Sequence, residues 1–286
     1  KKSENIKNEH ENITLGEYLQ KQKLSKFFIE YHIIPMVAAI WSMPPYEANN
    51  MPLNFFLKFF QNHGLFKISN RPQWYTVANR SKSYVNKVLN KISGEYLKNY
   101  PITKIERYNS NVKLFYGEGN EFFSYDKVVI ATHADDALSM IDCPTDNEKE
   151  ILSKFNYREN IAYLHLDESI MPKNKKVWSS WNSSIDPKNL NKNSVTYWLN
   201  LLQNLNIKKN IFLTLNPFTN IPNKYIIKKI KFTHPYYDQA ALNNQKNLNS
   251  LQNKKNILFC GSYFGYGFHE DGIRSSIEMV KILNDS

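Results

Sequence analysis

Residues 257–276 read ILFCGSYFGYGFHEDGIRSS, and three of the chain's nine glycines, Gly261, Gly265 and Gly267, fall within seven positions there, with Gly272 close behind. Glycine has no Cβ, so a backbone built from it can approach a ligand closely. A helix starting near Asp271 would aim its first N–H groups and the positive end of its dipole at that ligand. The chemistry so served is the stabilisation of an electron-rich or anionic group. An ordinary strand–loop–helix turn capped by Asp271 uses the same residues, so this segment by itself leaves both readings open.

A second segment, residues 125–138 (YDKVVIATHADDAL), runs from an apolar strand through the small residues Ala131 and Thr132 into a helix. Small side chains at that turn would let a flat group lie against the backbone, although many α/β proteins contain such a strand. The titratable residues beside the two turns are His133, His269 and Glu270. Their chemistry would be proton transfer, with helix capping or structural hydrogen bonding as the plainer role for each.

The rest of the chain must position these segments. Apolar residues at helical spacing predict a helix over 15–34 after Thr14, ended by Pro35, then helices over 51–63 and 83–92. From Pro101 the period changes to two, which predicts short strands at 102–107, 112–116, 121–123 and 127–131 separated by Asn-Ser-Asn and Gly-Glu-Gly-Asn turns. Helices are expected over 134–141 and 147–154, and strands over 161–167, 176–181, 194–198, 210–215 and 225–232. A helical stretch over 237–251, a strand at 256–260 and a helix over 271–283 complete the pattern.

Composition narrows the function classes. Apolar residues at 42 % and aromatics at 14 % supply a core and exclude a disordered chain. The net charge of +11 favours an anionic partner, but the Lys-rich pieces at 173–176, 228–231 and 254–255 are scattered between apolar segments, so solvated faces are expected and nucleic acid is not. Cys143 and Cys260 form neither a C-x-x-C pair nor a disulfide framework, which points to a reducing, cytoplasmic setting and away from a metal site. No apolar run is long enough to span a bilayer and the first 25 residues are polar. The chain opens at Lys1, without methionine and in mid-pattern, so further sequence is expected upstream.

Five stretches in order, PMVAAIWSMPP (35–45), RPQWYTVANRSKSYV (71–85), VVIATHADDAL (128–138), HPYYDQAAL (234–242) and FCGSYFGYGFHEDGIRSS (259–276), resemble the flavin-containing amine oxidase superfamily. More narrowly, they are similar to bacterial FAD-dependent oxidoreductases described as predicted NAD/FAD-binding proteins. The resemblance covers nearly the whole chain, and its last motif is the most specific. It implies an α/β (mixed α+β) fold: the C-terminal part of a Rossmann-like FAD-binding domain interleaved with a substrate domain of mixed sheet plus helices. The implied division is 1–95 and 143–250 for the substrate domain, with 96–142 and 251–286 for the FAD domain.

Carried over by position, the resemblance implies that Ile102 bonds the adenine through its backbone, that Ala131 and Thr132 pass near the dinucleotide, and that Gly261 follows the last strand. It also implies that His269, Glu270, Asp271, Gly272 and Ile273 face the flavin, with the N–H groups of 270–272 as its donors. His269 stands where many amine oxidases have an aromatic residue. The Gly-x-Gly-x-x-Gly turn that holds the pyrophosphate is absent from these residues, so the chain is expected to hold FAD poorly alone.

The implied activity is hydride removal from an apolar substrate such as an unsaturated or modified fatty acyl lipid, with peripheral contact at an anionic inner membrane face. Oxidation of a small amine or amino acid is the alternative within the family. Trp41, Arg71 and Trp74 are the candidate substrate residues, the aromatics for an apolar chain and Arg71 for a carboxylate or phosphate, with packing and surface placement as their plainer roles. A reading of another class is a non-catalytic basic binding module whose glycine-rich C-terminus is only a turn.

Overall fold

The computed structural model describes residues 13–118 and 121–285. Thr14 and Glu17 form a reciprocal capping box at helix α1 (Leu15–Lys21), which satisfies first-turn donors at both residues. The chain breaks at 22–25 and resumes as α2 (Lys26–Phe28), a π-helical turn (Ile29–Ile33) and α3 (Ile34–Trp41). The single helix expected over 15–34 is therefore divided. Pro35 does not end it, because it sits in the first turn of α3, where a missing N–H costs nothing, and the preceding π-turn relaxes the backbone there. Helices α4 (Pro45–Ala48), α5 (Leu53–Asn62) and α6 (Arg80–Leu89) follow. The i, i+1, i+4, i+5 aromatics of α5, Phe55, Phe56, Phe59 and Phe60, are all buried.

Strands β1 (Ile102–Arg107), β2 (Val112–Tyr116) and β3 (Phe122–Tyr125) form the expected antiparallel meander, and the second half of the Gly-Glu-Gly-Asn turn lies outside the described residues. Strand β4 (Val128–Ile130) leaves the meander and pairs elsewhere. Helix α7 (Ala134–Met140) and helix α8 (Asp146–Leu152) come next. The α8 capping residues are Thr145 and Glu148, and the Glu148 carboxylate also receives the Arg107 guanidinium from β1, which fixes α8 to the meander.

Strands β5 (Asn156–His165), β6 (Trp181–Asp186), β7 (Asn189–Trp198), β8 (Phe212–Leu215) and β9 (Ile226–Tyr236), with a short helix α9 (Leu199–Leu202) after β7, build a five-stranded sheet ordered β6-β7-β8-β5-β9. The strand expected at 176–181 begins only at Trp181. Asn174 accepts the Lys176 N–H at 3.0 Å and closes a turn over Lys175–Val177 instead.

Inside this sheet His165 is fully buried, accepts the Asp167 N–H on Nδ1 at 3.1 Å and meets Thr214 Oγ1 at 2.7 Å through Nε2; Thr214 in turn bonds Thr196 at 2.9 Å. An Nδ1 that accepts must be unprotonated, and burial pushes the His165 pKa down in the same sense. A depressed histidine stabilises the fold fully above the ordinary value of about 6.5, and that contribution is lost as pH falls below it toward the folded-state value. Urea unfolding should therefore show stability falling between about pH 7 and pH 5, more steeply in the wild type than in His165→Gln. Equal slopes would place the titration elsewhere.

Helix α10 (Gln239–Gln245), strand β10 (Ile257–Phe259) and helix α11 (His269–Asn284) complete the chain. The chain divides into two compact units: residues up to Ser93 with Arg158–His234, and Gly94–Tyr157 with Pro235–Ser286. Residues 143–157 and 235–250, grouped by sequence with the substrate domain, thus fall in the second unit, because Ile151, Leu152, Phe155, Ala241, Leu248 and Leu251 are buried in one cluster with Ile130, Ile257 and Phe259. Among the described residues no helix is long and apolar enough to cross a membrane.

Candidate functional site

The site lies in the second unit, where the two sequence-marked segments meet. Strands β4 and β10 are parallel, with Ile257, Leu258 and Phe259 opposite Val128, Val129 and Ile130, so their carboxyl ends lie side by side. Cys260 N–H extends the ladder to Ile130 O at 3.1 Å, and a Cβ on Gly261 would stand 3.5 Å from the Thr132 carbonyl. The Ala131–Thr132 turn and the Cys260–Gly261 turn are therefore neighbours. On its other edge β10 is closed by the Gln252 amide, which bonds the Phe259 N–H at 2.9 Å and the Phe259 carbonyl at 2.8 Å. A side chain thus stands in for a strand, and this sheet can grow only on the β4 side.

Ser275 locks the start of α11 to the end of β10. Its hydroxyl accepts the Gly261 N–H at 2.9 Å and lies 3.1 Å and 2.8 Å from the carbonyls of Gly261 and Gly272. The helix begins at His269, two residues earlier than expected, because the buried Asp271 carboxylate accepts the Phe268 N–H at 3.0 Å and caps it from within.

Of the expected set, His269 and Glu270 are exposed in the first turn, Glu270 lying 3.9 Å from Arg274 across one turn, and Ile273 is 57 % exposed. Asp271 departs from the expectation: its carboxylate turns inward onto the loop. The N–H groups of Asp271 and Gly272 both donate to the Phe268 carbonyl, at 3.1 and 3.2 Å, so of the 270–272 donors only that of Glu270 is left without a partner among the described residues.

The glycines also divide. A Cβ at Gly261 would strike the Tyr263 ring at 2.6 Å, one at Gly265 would overlap the Asp271 carboxylate, and Gly267 has φ 92° beside the Tyr237 hydroxyl. These three serve the protein's own packing. Of the glycines in 261–272 only Gly272 has room, the nearest atom to an added Cβ being Ser262 N at 3.9 Å.

His133 stacks on Tyr157 with ring centroids 4.1 Å apart, and the Tyr157 oxygen accepts the Ala134 N–H at the start of α7 at 3.0 Å. Burial drives the Tyr157 phenol far above its ordinary range, so it stays neutral. Ile102 pairs with Tyr116 at the first rung of the meander, and its half-buried side chain packs on the core of the second unit.

In the first unit the substrate candidates do not come together. Trp41 is buried against Phe55 and Phe59, at 5.6 and 4.6 Å between centroids, and so packs the core. Arg71 donates to the Lys67 carbonyl at 2.7 Å in an exposed turn, and Trp74 is 67 % exposed. A cavity of this unit, about 660 Å³, is instead lined by the turn 76–80, by Leu164 of β5 and by the α9–β8 segment. The sequence marked the stretch that contains the turn but weighted its first half. For Gln252, Ser275 and Leu164 no local pattern announces the role.

The fold decides the comparison. A fatty acid isomerase from P. acnes described as CLA-producing matches with a TM-score of 0.59 at 15 % identity over 87 % of this chain and 62 % of its own. Cyclohexylamine oxidase from Brevibacterium oxydans gives 0.58 at 12 % identity over 95 % and 68 %, and a putrescine oxidase bound to putrescine gives 0.64 at 8 % identity over 96 % and 68 %. The chain shares the fold of these three enzymes. No protein-family model and no curated protein sequence matches it. The chain spans 62 to 68 % of the length of these amine-oxidase-fold neighbours. Two of the five segments that carry the sequence resemblance, 128–138 and 259–276, are brought side by side by the β4–β10 pairing.

Proposed function

We propose that this chain works in an FAD-dependent oxidoreductase that removes a hydride from an apolar substrate. The observation that carries the reading is the parallel β4–β10 pair whose carboxyl ends open beside the first turn of the 16-residue α11, the place where open α/β sheets bind their ligands. The residues fit a flavin dinucleotide by a test internal to the protein: Gly272 is the one glycine of its loop whose missing Cβ is not explained by packing. Ala131 and Thr132, small and exposed, leave the β4 turn open to a flat group.

FAD held there would supply the hydride acceptor. The chain's own part is to hold and polarise. The positive end of α11 and the N–H group of Glu270 would favour negative charge on the bound ring, and Ser275 and Asp271 fix that turn before the ligand arrives. His269 and Glu270 are exposed and so placed to exchange a proton with water, while the neutral Tyr157 phenol is not a base. Cys143 and Cys260 are both free thiols, which supports a reducing, cytoplasmic setting.

A non-catalytic basic module is less well supported. Lys104 and Lys113 of the meander lie 4.4 and 4.2 Å from the ring centres of Phe115 and Phe122, so those rings are already covered by the chain's own cations.

The test is the absorbance spectrum of the full-length polypeptide purified without added cofactor. The two visible bands of an oxidised flavin are expected, and anaerobic bleaching by acyl lipids rather than amines. Bleaching by amines alone would replace the substrate class. A colourless protein that takes up no added FAD would overturn the flavoenzyme reading.

A further inference from the structure

A second candidate site is a cavity of the first unit. One wall is the turn 76–80, which leads into α6, and the facing wall is the segment 203–207 after α9. Val77, Leu164, Leu199, Leu205, Ile207 and Ile211 give the cavity an apolar lining. Arg80 is the one charged residue among its lining residues, and neither aspartate nor glutamate contributes. Among the described residues the Arg80 guanidinium makes no ion pair or hydrogen bond, whereas Arg71, Arg107, Arg158 and Arg274 each have a partner.

The walls are set before any ligand binds. The Asn200 side chain bonds the Lys209 carbonyl at 2.9 Å and the Ile211 N–H at 2.8 Å, which holds the 203–211 segment in one shape. On the facing side Asn79 and Arg80 are consecutive left-handed residues, at φ 59° and 68°, and Asn204 across the cavity has φ 48°. Asparagine tolerates that region; arginine does so at a cost, and such strain gathers at binding sites. A volume of about 660 Å³ lies in the range of roughly 300 to 1,000 Å³ that holds a small ligand.

We infer that this cavity binds an amphipathic anion, a medium-to-long-chain carboxylate whose hydrocarbon lies along the apolar wall and whose head group takes Arg80. An apolar lining with a single unpaired guanidinium recognises a fork-shaped anion on a hydrocarbon tail, and it offers nothing to a cationic amine. The binding does not depend on the flavoenzyme reading. It deepens that reading only by supplying a substrate class, so the two fail separately: the flavin spectrum tests one and ligand binding the other.

The experiment is calorimetric titration of the full chain with dodecanoate, dodecanol and dodecylamine. Dodecanoate should bind at least about tenfold more tightly than dodecylamine. Arg80→Gln should lose about tenfold or more for dodecanoate with dodecanol unchanged, and Arg71→Gln should change neither. Arg80→Gly removes the cation while suiting the left-handed backbone, so it should unfold at the same temperature as the wild type or higher and still lose the carboxylate preference. That variant keeps the test decisive if Arg80→Gln folds poorly. Equal binding of dodecanoate and dodecylamine, or undiminished dodecanoate binding by Arg80→Gly, would overturn the proposal.

Discussion

Glu148→Ala should cost about 3–5 kcal/mol, because it strands a buried cation. The Glu148 carboxylate is 2 % exposed and does three things at once. It accepts the Thr145 N–H at 2.8 Å and the Thr145 hydroxyl at 2.9 Å, and it neutralises Arg107, whose side chain is 9 % exposed. The Arg107 Nε already lacks a partner among the described residues, so its second face offers no compensation. Loss of the cap alone would account for about 1 kcal/mol. The remainder is the desolvated guanidinium, which separates this pair from the exposed pairs of the chain, where a contribution of about 0–1 kcal/mol is expected. Urea unfolding of Glu148→Ala, Arg107→Met and the double variant Arg107→Met/Glu148→Met measures it. The double variant should be clearly more stable than Glu148→Ala, since it buries no unpaired charge. A cost below about 1 kcal/mol for Glu148→Ala would mean that water reaches the pair.

Gly265→Ala should lose about 2–4 kcal/mol through overpacking against a carboxylate that cannot move and partial loss of the cap that this carboxylate makes. The added Cβ would stand 2.5 Å from Asp271 Cγ and 2.8 Å from its Cβ. Asp271 is buried and holds the Phe268 N–H, so turning it away uncaps α11. Combining Gly265→Ala with Asp271→Ala should cost less than the sum of the two, with a coupling of about 0.5–3 kcal/mol. Gly272→Ala makes the opposite contrast. Its Cβ meets no protein atom closer than 3.9 Å and it sits inside a helix, so it should stabilise by roughly 0.5–1 kcal/mol while lowering flavin retention. Unfolding curves beside absorbance spectra read both signs. Additive costs for the Gly265 and Asp271 changes would sink the overlap argument, and unchanged flavin content in Gly272→Ala would move the ligand away from that turn.

The sequence alone determined whatever depends on local pattern. Period-two alternation located the meander, the Val-Val-Ile and Ile-Leu-Phe runs located two strands, and Thr14 marked a helix start, because each of these is set by residues within a turn of one another. It also drew attention to 128–138 and 257–276, although 126 residues lie between β4 (Val128–Ile130) and β10 (Ile257–Phe259). Strand ladders decided that those ends are adjacent, and no local signal carries that pairing. Nor could sequence tell which glycine makes room for a ligand, since Gly265 answers to a carboxylate six residues on and Gly267 to Tyr237, while only Gly272 is left open. Trp41 and Arg80 show the same limit in opposite directions. An aromatic at helical spacing has one pattern whether it packs a core or lines a pocket, and an arginine at a turn becomes a ligand-binding candidate only when long-range packing places a rigid apolar wall opposite it and no acid beside it.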